Sequence, residues 1–412
     1  MIKVAIIGAG AAGYFTAIRL KTSAPKADVT LFEKGRVPLA KVAVTGGGRC
    51  NLTNTFAHVT DLHQVYPRGA TLMKRLFKHF DHRDAYAWFE AHGVPLVVQE
   101  DQCVFPLSQQ SGSVIGSLQR EAQRLGVVLR TGHTLTTLVP QPDGRLHLTF
   151  RQGVEAAFDA VVIATGGAPR VSSFDYLAAL GHSIEPPVPS LFTFDIPDAA
   201  LRALMGTVVE SAIAYIPGTK FRAVGPLLVT HWGTSGPATL KLSALAARHL
   251  ADSAYRFTLA INWVHEANTE AVQAELIQLA TAHTACQLSS IRPYGLPTRL
   301  WLHLVAKADL VPEKRWGELG RKGINRLVQL LCCDTYAVAG RGVWKEEFVT
   351  CGGVSLHDMH AATLESKHVP GLYFAGEVTD VDAITGGFNL QAAWTMGYAV
   401  GEAIAAKAAK AR

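Results

Sequence analysis

The chain lacks the marks of several large protein classes. Its six cysteines, Cys50, Cys103, Cys286, Cys332, Cys333 and Cys351, include no C-x-x-C pair, which argues against a zinc site or a thioredoxin-like motif. Cys332 and Cys333 are adjacent, an unfavourable spacing for an unstrained disulfide, so core packing is their expected role. No continuous apolar stretch reaches the length of a membrane span, and no membrane partner is expected. No secretory leader is read in the 412 residues, and the thiols are expected to stay reduced in a cytoplasmic setting. Internal repeats and dense runs of like charge are missing as well. Charged residues are few, 17% against 49% apolar, which excludes a disordered chain and provides for a large core.

The charge balance is mildly basic, +6 with a pI of about 9.0. Ordinary surface solvation accounts for that, and attraction to a polyanion is the sharper alternative. The densest cations are Lys74, Arg75, Lys78, His79, His82 and Arg83, on a helical stretch with Leu72, Leu76, Phe77 and Phe80.

What is present begins at the N-terminus. Val4–Ile7 reads as a buried strand, a helix follows through Leu20, and Val29–Phe32 is the next strand, a βαβ unit of ordinary size. The first twenty residues could pass for a secretory signal, but a signal has no use for Gly8-x-Gly10-x-x-Gly13. In that motif the first glycine permits a tight turn, the second lets backbone approach a pyrophosphate, and the third lets helix and strand pack closely. Ala12 lies inside it, at a helix N-terminus that favours phosphate. Glu33, 20 residues past Gly13, is placed to accept ribose hydroxyls and to repel a 2′-phosphate, which points to FAD or NAD rather than NADP. The bland alternative is a plain glycine turn.

Three further segments favour FAD. Thr45–Asn54 is glycine-rich: Gly46, Gly47 and Gly48 admit a close ligand, and Arg49, Asn51 and Asn54 bring donors and acceptors. Thr165, Gly166 and Gly167 follow a strand at Ala160–Ile163. Gly376 and Glu377 end a strand at Leu372–Ala375, and Gly387, Phe388, Asn389 and Leu390 open the last long helix, whose N-terminus suits negative charge on a reduced flavin. Lys34 and Lys41 complete the expected cofactor-binding set. There is no second G-x-G-x-x-G, so NADH or NADPH, as electron donor, is expected to bind transiently.

Between these segments, helices are expected over 71–93 and 112–126, and two strands flank the Asp143-Gly144 turn. Pro186, Pro187 and Pro189 mark a boundary. Short strands with one helix near 238–250 are expected to about Asn262, and mainly helix from Trp263 to Leu331. The simplest organisation is one dinucleotide domain in two segments, interrupted by an insertion.

The stretches Thr45–Asn54, Gly371–Gly397 and His231–Pro237 resemble the bacterial BaiN/RdsA-type FAD-dependent oxidoreductases. The resemblance covers nearly the whole chain. It implies an α/β fold with a discontinuous Rossmann-like FAD-binding domain (1–189 and 344–412), a β-barrel-like insertion on the substrate side (190–262 and 328–343) and a small helical domain (263–327). It also implies reduction of an activated ring C=C bond, in a uracil of ribosomal RNA or a steroid-like enone. Some members are labelled aminoacetone oxidases.

A flavin reductase needs a hydride source and an acid for the second carbon. Cys50 and His231 are the candidate acids; their bland readings are a thiol packed beneath the ring and a structural histidine. The expected function is FAD-dependent ring reduction on ribosomal RNA or a small molecule, with no stable protein partner. The alternatives are a small-amine oxidase using oxygen and a non-catalytic flavin-bearing RNA-binding or redox-sensing protein.

Overall fold

Five short parallel strands, four from the N-terminal half and one from near the C-terminus, form one sheet: β1 (Lys3–Ile7), β2 (Asp28–Phe32), β3 (Val128–Arg130), β4 (Ala160–Ile163) and β5 (Leu372–Phe374). Their order is β5-β4-β1-β2-β3. The computed structural model describes residues 1–342 and 349–410, so the expected junction between residues 343 and 344 lies outside them. Packing divides the chain into one unit of Met1–Val188 with Val349–Arg412 and a second of Pro189–Phe348. β1 and β4 are continuous apolar runs because both faces of the sheet are covered.

In the first unit the helices longer than five residues are α1 (Ala11–Ser23), α2 (Ala70–Leu76), α3 (His82–Ala91), α4 (Ser111–Arg124) and α5 (Phe388–Lys410). α1 and α5 approach closely because glycine faces the crossing. A Cβ on Gly397 would stand 2.7 Å from the Ala12 carbonyl oxygen, and one on Gly401 3.0 Å from the Leu20 nitrogen. The Asp143-Gly144 turn joins Leu135–Pro140 to Leu146–Phe150 in a three-stranded antiparallel sheet completed by Glu155–Phe158. The prolines near 186 are not a bare linker. They lie in a strand, Ile184–Ser190, of a two-stranded sheet with Val349–Val354, where a missing N–H is tolerated.

Among the described residues, the second unit is built on seven antiparallel strands. In order they are Asp334–Val338, Phe257–Asn262, Val208–Tyr215, Arg222–Val229, Gly233–Ser235, Phe194–Asp195 and Gly340–Arg341. The strands at the two ends of that order are separated in sequence by Ala339 alone. One residue cannot cross a flat seven-stranded sheet, whose neighbouring strands are about 4.8 Å apart, so the sheet curls back on itself like a barrel. Helices Thr269–Ala282, Thr298–Lys307 and Gly320–Cys332 share its core through Leu276, Trp301, Leu304 and Leu327. Among the described residues no helix is long and apolar enough to cross a membrane.

Candidate functional site

β1 lies in the middle of the five-stranded sheet. From it the chain proceeds to β2 on one side and later to β4 on the other, which makes the β1/β4 border a topological switch point. In open α/β sheets ligands bind outside the carboxyl ends of strands at such a point. Four of the segments singled out in the sequence follow the carboxyl ends of β1, β2, β4 and β5.

The three glycines of the first loop differ in what surrounds them. Gly8 has φ +112°, and a Cβ there would stand 2.3 Å from the Ala164 carbonyl oxygen. A Cβ on Gly13 would stand 2.0 Å from the Gly8 oxygen. Gly10 differs: it has ordinary extended geometry (φ −92°, ψ −167°), and its Cβ would meet nothing within 4 Å. The first and third glycines are therefore required by the protein's own backbone. The second keeps a space clear of the described residues at the start of α1, where a glycine N-cap brings no side chain to the free amides. The first-turn amides of a helix have no intrahelical acceptor, so this cleared, electropositive end fits a pyrophosphate.

Glu33 braces the loop and faces the same end of the sheet. One carboxylate oxygen accepts from the Ala9 N–H (3.0 Å), the other from the Gly35 N–H (2.8 Å). A carboxylate offers about four acceptor positions, so roughly two remain for ribose hydroxyls. Lys34 beside it is exposed, and Ala12 is buried in the first turn of α1. After β4, Thr165 is exposed, and Gly167 is closely packed: a Cβ there would stand 2.7 Å from a Glu377 carboxylate oxygen and 2.9 Å from the Thr350 Cβ. Glu377 is itself engaged, with one oxygen on Lys41 Nζ (3.0 Å) and the other accepting from Thr350 N–H (2.9 Å). The Glu377 carboxylate is thus already oriented by two partners. Gly376 (φ +77°) lies close over Ala12, 2.9 Å from a built Cβ to the alanine Cβ.

The turn at Gly46, Gly47 and Gly48 holds three successive left-handed residues, with φ of 58°, 68° and 85°. Such a run is accessible to glycine and strained for other residues. Arg49 is exposed and lies over the Phe105 ring at 4.4 Å. The strand pair that follows is fastened to the start of α5. With its amide turned to satisfy both neighbours, Asn51 accepts from Gly387 N–H (3.2 Å) and donates to the Thr53 carbonyl (3.1 Å). Asn54 Nδ2 donates to the Gly386 carbonyl (3.1 Å), Thr53 Oγ1 donates to Gln391 Oε1 (2.6 Å), and Trp394 Nε1 donates to the Leu52 carbonyl (2.9 Å). Asn389 is turned inward, bonded through its side chain to both the N–H and the carbonyl of Ala383. Phe388 is buried and Leu390 half-buried.

Sequence reasoning missed the second layer of this end. Tyr66 OH donates to the Phe388 carbonyl (2.9 Å), and Arg68 forms a two-pronged pair with Asp382, whose carboxylate is wholly buried. Neither Tyr66 nor Arg68 belongs to a glycine-marked segment, and no spacing signal connects them to residues more than 300 positions away.

The two candidate acids differ in environment. Cys50 is fully buried with φ +65°, and burial pushes its thiol up to about 12 despite a hydrogen bond from Thr45. That placement favours the packing role. The Cys50 thiol should resist iodoacetamide in the native protein at pH 8 and react only on denaturation; mass mapping of the carbamidomethylated cysteines checks this. His231 belongs to the second unit. It is exposed in the turn before Gly233–Ser235, with its ring edge-on to Trp232 at 4.5 Å.

The chain has whole-length relatives. A family model described as HI0933-like protein Rossmann domain matches residues 2–403. The 3-dehydro-bile acid delta(4,6)-reductase of Clostridium scindens is 27% identical, over 98% of this chain and 99% of that protein. The ribosomal RNA dihydrouridine synthase of Escherichia coli is 28% identical, over 98% of each. Among solved structures, the 3-ketosteroid-delta4-(5alpha)-dehydrogenase of Rhodococcus jostii RHA1 superposes with a TM-score of 0.53 at 17% identity, covering 98% of this chain and 97% of that one, a likeness of fold.

Proposed function

This chain belongs to the HI0933-like protein Rossmann domain family, and from that membership we propose that it is an FAD-dependent oxidoreductase that reduces an activated ring C=C bond. The observation that carries the reading is the cleared space at Gly10, at the head of α1 and at the switch point of the sheet, in a chain aligned end to end with relatives named for ring reduction. Gly10 and the α1 amides hold the pyrophosphate, and Glu33 accepts the adenosine ribose. Gly46–Gly48, Glu377 and the Asn51-braced start of α5 hold the remainder. When bound and reduced, the flavin supplies a hydride from N5.

The second carbon of the substrate needs a proton. His231 is the donor we favour, being an exposed imidazole whose ring N–H can donate a proton. Loss of a general acid costs about 10²–10⁴-fold in rate. In single-turnover substrate reduction, H231A should fall by that order and C50A should stay near the parent. Unchanged rates in both would remove both residues as donors.

Between the two substrate classes, the exposed cations near the site favour uracil in ribosomal RNA over a steroid, and NADH or NADPH acts as the transient donor in the cytoplasm. The reading is tested by reducing the flavin anaerobically with each nicotinamide and then offering ribosomal RNA, an enone steroid and oxygen separately. Ribosomal RNA should reoxidise the flavin fastest. Reoxidation by oxygen alone would overturn ring reduction.

A further inference from the structure

α2 and the turn after it present a cationic face. Leu72, Met73 and Leu76 are buried, whereas Lys74 and Arg75 are exposed on the opposite side. The chain continues in a helical turn, with Lys78 N–H on the Arg75 carbonyl and His79 N–H on the Leu76 carbonyl, and Lys78, His79 and Arg83 are exposed too. Two nearby acids already have close partners, and Arg83 is one of those partners. Asp81 caps α3 and pairs with Arg83 (2.7 Å), Asp84 completes the capping box, and Asp61 pairs with His63 (2.9 Å). The surface therefore keeps an excess of positive charge.

This face is mechanically continuous with the candidate flavin end. The Phe77 ring stands 5.5 Å from Phe56, and Phe56 stands 5.0 Å from Phe388 at the start of α5. Phe56 is held at a left-handed φ of 58°, where its N–H donates to Asn54 Oδ1 (2.9 Å), the same side chain that ties down Gly386. His82 stacks on Phe56 at 4.8 Å, and its Nδ1 is buried without a partner. Cations beside an aromatic cluster suit single-stranded nucleic acid, whose phosphates seek charge and whose unstacked bases seek rings. An uncharged steroid ring has no use for such a face.

We infer that Lys74, Arg75, Lys78 and His79 hold the phosphodiester backbone of the RNA strand whose uracil enters the flavin site. The inference rests on the ribosomal-RNA reading above. Neutralised phosphates set the salt dependence of binding, with a slope of about −0.7 per contact on single strands. The test compares the FAD-loaded parent with a K74E/R75E/K78E variant, titrated with ribosomal RNA transcribed in vitro at several salt concentrations. A K26E/R151E/K410E variant is the control: those residues are exposed elsewhere in the same unit, and it undergoes the same fall in formal charge, from +6 to 0. Flavin absorbance and thermal midpoint report an intact fold. The α2 variant should bind at least about tenfold more weakly at moderate salt, with a slope shallower by about two. The control should keep the parent's slope, and K74R/K78R should also keep it. Equal slopes in the α2 variant and the control, with the parent turning over RNA, overturn this surface alone. A parent that neither reduces ribosomal RNA nor binds it in a salt-dependent way overturns the RNA reading and this inference with it.

Discussion

Gly10→Ala should give a protein that folds as well as the parent and purifies without its yellow colour. Its backbone is in a region open to any residue, and an added methyl would meet nothing among the described residues within 4 Å. Gly→Ala at a compatible site restricts the unfolded chain and adds about 0.4–1 kcal/mol of stability. With FAD present, the same methyl occupies the space kept for the pyrophosphate. A weakening of about 100-fold or more in FAD affinity is expected, roughly 3 kcal/mol. Gly13→Ala supplies the contrast, because its methyl would stand 2.0 Å from the Gly8 oxygen, so stability and flavin should fall together. Thermal midpoints of the apoproteins and fluorescence titration with FAD separate the two cases. If G10A retains the parent's affinity, the pyrophosphate does not lie where the reading puts it.

Asp382→Ala should produce the largest loss of stability among single polar exchanges near the site. Its carboxylate is wholly buried and the Arg68 side chain is 11% exposed, so the guanidinium loses its main counter-charge while still out of water. Removing one member of a buried pair costs about 3–5 kcal/mol. That is a large part of the 5–15 kcal/mol typical of a folded domain. The damage should also reach the flavin end, because Ile384 N–H is bonded to the Val65 carbonyl (2.9 Å) in the segment leading to α5. The double exchange R68M/D382L removes both charges and should recover most of the loss. Urea unfolding of the three proteins checks both statements, and a loss below about 1 kcal/mol in D382A would refute the first.

Local chemistry made much of this legible in the sequence. Gly8, Gly10 and Gly13 announce their roles by spacing, because each constraint arises within one strand–turn–helix unit. The alternation in Leu146–Phe150 and the Asp143-Gly144 turn were readable for the same reason. The long-range fastenings were not. Asn51 to Gly387, Trp394 to Leu52 and Arg68 to Asp382 join residues with no shared period. The prolines at 186–189 were read as punctuation, yet they sit in a strand, because a two-stranded sheet tolerates missing donors. The burial of Cys50 was also hidden: its left-handed φ turns the thiol inward from a loop whose composition looks exposed.

The order in which the sheet is assembled has a consequence for synthesis. β4 ends at Ile163, and its neighbour β5 begins at Leu372, after the whole of the second unit. At roughly 5–20 residues per second, the ribosome takes about ten to forty seconds to pass from one to the other. Through that interval β4 has an unpaired edge, α1 lacks the helix that covers it, and loop 45–54 has no α5 to grip. The second unit carries its own core and can settle in the meantime. A site that needs α5 therefore stays incomplete on the growing chain until that helix emerges.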